Sequence, residues 1–432
     1  MRALWLHRLW ESPSVNIGPS KIGRWRRAID VVRRADWART DIVLLIVMAF
    51  AVTSLSLAVQ DVRFHATRGL TNALGDPVGD DFLNCWTGAR LAADGRMAFA
   101  YDQERLHESE ERLLGQPTRT RIYAYPPVMG LFLWPLASFS YLPALAIWSV
   151  IGAAVCAALL SRISGWLMAI GATIGAPAMY MNLHSGQNGY FTAAALVGGL
   201  LLVERRPMLS GFLFGLLCCK PQLALLLPVA LLSGGHWRCA VASAATALVL
   251  IVTSLALFGS DTWIGFLHET SALSHLTDIH PDFWSRMPTI FIAVKALGGA
   301  AAAANILQAV SALAAAAIVA ITWRGQAAPD VKAAILIIAT FLATPYAWDY
   351  DMVATVFAAA LLGREARRSG FLTWEKASIA ALFLVPVAMI ITMEAATLPL
   401  GPLVLWLTLA MALRRASSES HSVMGLAAER VS

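Results

Sequence analysis

Apolar runs separated by short polar breaks repeat along the chain from about residue 41 to residue 413. Runs near twenty residues read as membrane-spanning helices. Asp41–Gln60 (DIVLLIVMAFAVTSLSLAVQ) is the first, and Leu142–Leu160, Ala240–Phe258 and Ala301–Trp323 are of the same kind. Others are shorter: Trp166–Met181, Tyr190–Val203, Met208–Cys219, Leu223–Leu232, Val331–Tyr346, Val353–Leu362, Ala377–Thr392 and Leu400–Leu413. The shortest of these fall well below the roughly 20 residues that a simple crossing needs. They are expected to be broken or enclosed in the bundle, where backbone can face protein or a cavity. Val128–Phe139, bounded by Pro126, Pro127 and Pro143, predicts a re-entrant or surface segment, and Met287–Leu297 an interfacial helix. The sum is an all-α polytopic membrane protein of about twelve transmembrane helices.

Charge assigns the sides. Arg33, Arg34 and Arg39 precede the first span, which places its start inside. Alternation then puts Arg162, Arg205-Arg206, His236-Trp237-Arg238, Arg324, Arg364 with Arg367 and Arg368, and Arg414-Arg415 on the same inner side. Trp37, Trp166, Trp237, Trp323 and Trp374 fall at those inner boundaries, as an aromatic belt requires. Residues 1–40 are expected to be a basic cytoplasmic segment and 41–413 one transmembrane domain. Residues 414–432 are expected to be a disordered cytoplasmic tail. A first outer loop at 61–123 is the largest hydrophilic insertion and predicts two amphipathic helices, about 82–94 and 102–114. A second outer loop at 259–285 carries His268, His275 and His280, expected to be solvated.

Composition narrows the class. Hydrophobic residues make up 58% of the 432 and charged residues 14%, against about 25% charged in soluble domains. A soluble enzyme and a disordered scaffold are thereby excluded. The net charge of +6 is concentrated at the start, where nine basic residues fall in the first 40. Such a flank suits anionic membrane lipids rather than nucleic acid. Five cysteines show no zinc spacing and no disulfide framework, so no metal or cofactor is expected.

Polar residues collect on the outer side in this topology. Asp80-Asp81, ahead of the helix predicted at 82–94, reads either as an N-cap or as a general base. Lys220, in the turn Lys220-Pro221, reads as a snorkelling cation or as a phosphate ligand, and Arg286 carries the same two readings. Asp349-Tyr350-Asp351 could cap a helix, position an acceptor sugar or bind a metal. His184, Gln187 and Asn188 form a turn facing the same side. Acids and cations in one cavity suit chemistry on a lipid head group.

These residues occur in a familiar order. Asp81-Phe82-Leu83-Asn84-Cys85-Trp86 with Ala89-Arg90-Leu91, Gly95 and Tyr101-Asp102 resembles the first outer loop of glycosyltransferase family 87. Tyr125-Pro126-Pro127, Gly186-Gln187-Asn188, Gly211 through Gly215 to Lys220-Pro221, Arg286-Met287-Pro288 and Pro345-Tyr346 with Asp349-Tyr350-Asp351 continue the resemblance. That family is similar to other GT-C enzymes, which take a sugar, often mannose, from a polyprenyl-phosphate donor. The resemblance implies an inverting glycosyltransferase of a bacterial inner membrane, with both termini cytoplasmic and a periplasmic active site. Asp81 would be the base and Asp80 its neighbour. Lys220 and Arg286 would meet the donor phosphate. His184, Gln187, Asn188, Tyr125, Asp349 and Asp351 would contact substrate. The partners implied are the donor, a lipid or glycan acceptor and membrane lipids. The competing class is a multi-pass transporter or flippase of a lipid-linked sugar, which would show inverted repeats and midplane charges.

Overall fold

The computed structural model describes residues 69–429, apart from 73 and 280. The expected first span and the basic segment 1–40 lie outside the described residues. The described chain is helical. Its only extended pairing is an isolated antiparallel bridge between Thr71 and Pro77.

The first loop holds α1 (Phe82–Ala93) and α2 (Gln103–Leu114), joined by a 3-10 turn at Met97–Tyr101. Both helices fall where the periodicity predicts them. Asp102 caps α2 by accepting from the Arg105 amide at 3.1 Å, and Gly115 closes it in the left-handed conformation. After Pro126-Pro127 comes α3 (Val128–Leu133), too short to cross a bilayer.

The bundle follows as α4 (Tyr141–Ser164), α5 (Trp166–Gly175), α6 (Pro177–Ser185), α7 (Gly189–Leu202), α8 (Pro207–Gly215), α9 (Leu227–Ser233) and α10 (Trp237–Phe258). Then come α11 (Ser260–Ile279), α12 (Ile290–Ala296), α13 (Ala301–Arg324), α14 (Pro329–Ala343), α15 (Val353–Ser369), α16 (Glu375–Ala396) and α17 (Leu400–Glu429). Four of these, α4, α10, α13 and α16, are long and apolar enough to cross a membrane. Among the described residues these four stand beside shorter apolar helices, so four of the expected crossings of about twelve are seen as full-length spans. Proline does much of the breaking. Pro177, Pro207 and Pro221 each start a new segment, because proline lacks the N–H that would continue the previous one.

Two expectations change. The second outer loop is mainly a helix, α11, whose Phe266 packs edge-on against Tyr101 of the first loop. Its Trp263 and Phe266 repeat at helical spacing, a period outweighed in the sequence by the surrounding polar residues. The tail expected to be disordered after Arg415 continues α17 to Glu429. Arg415, 1% exposed, is clamped by Glu375 at the start of α16 and also bonds the Gly370 carbonyl at 2.6 Å, so the helix has a buried anchor where it was expected to fray.

The helices share a polarity. α4, α7 and α15 begin, and α14 ends, beside the loop that contains Asp81. Their other ends carry Arg162, Arg205, Arg364 and Asp330. There, Arg364 grips Asp330 through two 2.5 Å bonds and donates to the Arg162 carbonyl at 3.2 Å, tying α4, α14 and α15 together. At the opposite end α14 stops before Thr344-Pro345. The Leu342 and Ala343 carbonyls, which a continued helix would have paired, instead accept from Gln308 Nε2 at 3.1 Å each, and Ser311 adds 2.7 Å to Leu342. Gln308 also accepts from the Phe291 amide at 3.1 Å. A polar residue inside an apolar helix is here the donor that a broken helix end requires. Gln308→Leu should therefore lower stability in detergent by about 1–3 kcal/mol, the usual cost of orphaned buried groups. The check is the unfolding midpoint against that of wild type, and an unchanged midpoint would contradict this role.

Candidate active site

Two close approaches assemble the site. Gly186 ends α6 with φ +57°, and a Cβ there would lie 2.4 Å from Phe82 Cβ and 2.8 Å from the Gly79 carbonyl. Glycine thus lets the 186–188 turn press against the start of α1. Gly189 opens α7 against the Tyr350 carbonyl, which a Cβ would approach to 2.1 Å. The first contact brings Gln187 to Asp81, and the second brings Asn188 to the Asp349-Tyr350-Asp351 turn.

Asp81 occupies the N-cap position of α1, yet its side chain makes no capping bond. Its Oδ2 instead accepts from Gln187 Nε2 at 2.9 Å. Tyr125 Oη donates to Gln187 Oε1, which orients the amide so that its NH₂ points at Asp81. Trp148 Nε1 donates to the Gln187 backbone carbonyl at 3.3 Å. Burial, then the charge of Asp80, push the Asp81 carboxyl up to about 6, against the pull of Arg286, the Gln187 bond and Arg121. Asp80 has a different environment. It sits at φ +40°, in the left-handed region that aspartate tolerates better than most, and Arg121 holds it at 3.4 Å. Arg121 also reaches Asp76 at 3.6 Å.

The cations expected at the phosphate are paired. Lys220, 3% exposed, donates to Asp351 Oδ1 at 2.5 Å and Asn188 Oδ1 at 3.2 Å, and lies 4.7 Å from the Tyr350 ring centre. Two of its three ammonium hydrogens are thus given to side chains, and the ring face meets its charge. Arg286 gives Nε and Nη2 to Asp349 at 2.9 and 3.1 Å, and Nη2 also to Ser185 Oγ at 3.0 Å. Among the described residues its Nη1 carries no such bond. Asp349 and Asp351, each 1% exposed, are thus paired with these cations and are absent from the lining of the cavity that holds Asp81.

A cavity of about 750 Å³ joins Asp80, Asp81, Tyr125, His184, Gln187, Lys220 and Arg286. Trp348 and Tyr350, stacked at 6°, and Phe283 form its aromatic wall. His184 stacks on Tyr180 with 4° between the rings. Asn188 lies outside this wall and lines a second cavity, largely apolar and of about 1100 Å³, that shares Cys219 with the first. Among the described residues no three His, Cys, Asp or Glu side chains gather as a metal site would need.

Several site residues escape the sequence reading. Arg121, Ser185 and Trp348 carry no local signal. Glu110 does: it follows Leu106 by four and precedes Leu114 by four, on the apolar face of α2. It is fully buried, and among the described residues neither carboxyl oxygen has a hydrogen-bond partner. Burial pushes its carboxyl up to about 8, opposed by Arg121 and assisted by Asp81 and Glu111.

The family model for glycosyltransferase family 87 matches residues 123–345. The chain belongs to that family and is a glycosyltransferase. No curated protein and no solved structure matches it. The matched span contains Tyr125, Gln187, Lys220 and Arg286. It begins after Asp81 and ends before Asp349.

Glu110 should govern the pH dependence of stability. Its folded-state value near 8 exceeds the ordinary 4.5. Its contribution is therefore fully present below about pH 4.5 and is lost as pH rises through 8, by at most about 1.4 kcal/mol per pH unit. Unfolding midpoints measured from pH 5 to 8.5 should fall more steeply in wild type than in Glu110→Gln, and equal slopes would contradict the assignment.

Proposed function

We propose that the protein transfers a sugar, mannose in the first instance, from a polyprenyl-phosphate donor to a hydroxyl of a lipid or glycan acceptor. In this reading it works at the periplasmic face of a bacterial inner membrane, with both termini cytoplasmic and residues 41–413 as one catalytic domain. The observation that carries the proposal is the separation of charges in the polar cavity. Asp80, Asp349 and Asp351 are engaged by Arg121, Arg286 and Lys220, and Asp81 alone is held by a neutral amide.

Asp81 is the general base. It takes the proton of the acceptor hydroxyl as that oxygen attacks the anomeric carbon. The bond to the phosphate oxygen breaks, polyprenyl phosphate leaves with the electron pair, and the configuration inverts. A carboxyl near 6 is largely ionised at neutral pH and basic enough to assist. Gln187, oriented by Tyr125, aims it. Arg286 meets the leaving phosphate through Nη1 while Asp349 fixes the guanidinium from its other edge. Lys220 acts through Asp351 and Asn188, holding the wall on which Arg286 sits. Trp348, Tyr350 and His184 offer flat surfaces for a sugar ring. The reading invokes no metal or cofactor.

The apolar cavity supports a lipid donor. It starts at Asn188 and Cys219, beside the polar cavity, and is lined along α7 by Phe191 and then by Thr192, Ala194, Ala195 and Gly198, whose small side chains leave room for an isoprenoid chain. Family membership decides between enzyme and transporter in favour of the enzyme.

The test is transfer of label from a radiolabelled polyprenyl-phosphate sugar to a membrane extract by the purified protein. Asp81→Asn should lose roughly 10²–10⁴-fold in rate, the usual contribution of a general base. Asp80→Asn should keep most of the activity. Full activity of Asp81→Asn would remove the base assignment, and absence of any transfer by wild type would remove the donor. Arg286→Lys, which keeps the charge but loses the fork, should raise the KM for donor and lower kcat together. Lys220→Met should instead show its main effect as a lower unfolding midpoint, since it leaves Asp351 buried and unpaired. Normal stability with a pure rise in donor KM for Lys220→Met would make Lys220 the phosphate ligand.

A further inference from the structure

The apolar cavity does not stop at the site. It follows α7 from Asn188 to Val203, and 14 helical residues cover roughly 21 Å. Its far mouth is lined by Arg162 at the end of α4, by Glu204 and Arg205 after α7, and by Asp330, Arg364, Glu365 and Arg368. The charges at this mouth follow the inner-side pattern of the chain, and here they stand directly at the end of an apolar slot.

The charges there are unevenly paired. Asp330 is taken up by Arg364 at 2.5 Å, with Arg368 at 3.9 Å. Glu365 lies 3.8 Å from Arg368. Glu204 acts on His236 and Lys332 across the α9 side. Arg162 and Arg205 enter no salt bridge among the described residues, and both are exposed at the groove mouth. Two unpaired guanidiniums on adjacent helix ends, above an apolar slot, match one phosphodiester with an alkyl chain attached.

We propose that this mouth is a binding site for an anionic phospholipid of the opposite leaflet. Its phosphate sits between Arg162 and Arg205, and one acyl chain runs up the groove toward α7's midpoint. The donor's chain enters from the site end, so the two lipids share the groove end to end. On the reading proposed above, the phospholipid fills the half that the donor leaves empty.

Native mass spectrometry of the full-length protein, delipidated in detergent and titrated with phosphatidylglycerol or phosphatidylcholine, tests this without any assay of transfer. Wild type should retain one phosphatidylglycerol per chain and prefer it over phosphatidylcholine. Arg162→Ala combined with Arg205→Ala should weaken that binding roughly tenfold or more, at about 1 kcal/mol per basic residue. Arg206→Ala, which removes a neighbouring charge outside the groove lining, should leave it unchanged. Equal binding of the two lipids by wild type would overturn the proposal. So would an equal loss in Arg206→Ala, which would show diffuse surface charge. Displacement of bound phosphatidylglycerol by stoichiometric polyprenyl phosphate, lost in the double variant, would assign the mouth to the carrier lipid and overturn it too. Should the double variant fold poorly, the comparison of the two lipids on wild type still decides.

Discussion

The contact between Lys220 and Asp351 fixes the rest of the site. Both side chains are buried, at 4% and 0% exposure. Burying either alone would cost several kcal/mol, so each requires the other. Lys220 stands where Pro221 forbids the helix to continue, and Asp351 stands in the turn that follows the break at Pro345. Asn188, at the start of α7, completes the contact. Two proline breaks and one glycine-permitted approach thus converge on one ammonium group. A two-carboxylate turn that could have competed for substrate becomes scaffold.

The consequence is electrostatic. The cations near the cavity are matched with acids: Lys220 has Asp351, Arg286 has Asp349, Arg121 has Asp80, and Arg119 shares Asp76 with Arg121. Asp81 is left over. Its contact is an amide, which orients a carboxylate without cancelling its charge, and burial among acids raises its affinity for a proton. A pocket whose cations were wholly unpaired would bind phosphate more tightly in the ground state. Compensated cations respond more to the charge that grows on the leaving group.

Much of this was legible in the residues. Pro126-Pro127 and Pro207 stand at breaks that the apolar pattern shows, and the helices at 82–93 and 103–114 follow from periodicity, whereas the spans expected at 166–181 and 331–346 ran across the breaks at Pro177 and Pro345. Asp80, Asp81, Tyr125, His184, Gln187, Lys220 and Arg286, which meet in the polar cavity, were also singled out. What could not be read is which acid answers which base. Lys220 and Asp351 are 131 positions apart, and no local pattern distinguishes a counter-ion from a substrate ligand. Arg121 was invisible for the same reason. The helix α11 was hidden by polar residues around its apolar stripe. The order of α17 beyond Arg415 depends on a partner, Glu375, forty positions earlier. The number of crossings is the weakest inference from hydropathy alone, because short apolar helices obey the bundle rather than the bilayer thickness.

The account stands or falls on Asp81 being the one ionisable acid that works uncompensated. The pH dependence of kcat/KM for sugar transfer measures this directly, since it reports the free enzyme's essential base. The rate should rise with pH and level off, with an apparent pKa of about 6. It should shift downward when Asp80→Asn removes the neighbouring charge. A profile flat from pH 4.5 to 8, or one that ignores Asp80→Asn, would contradict it.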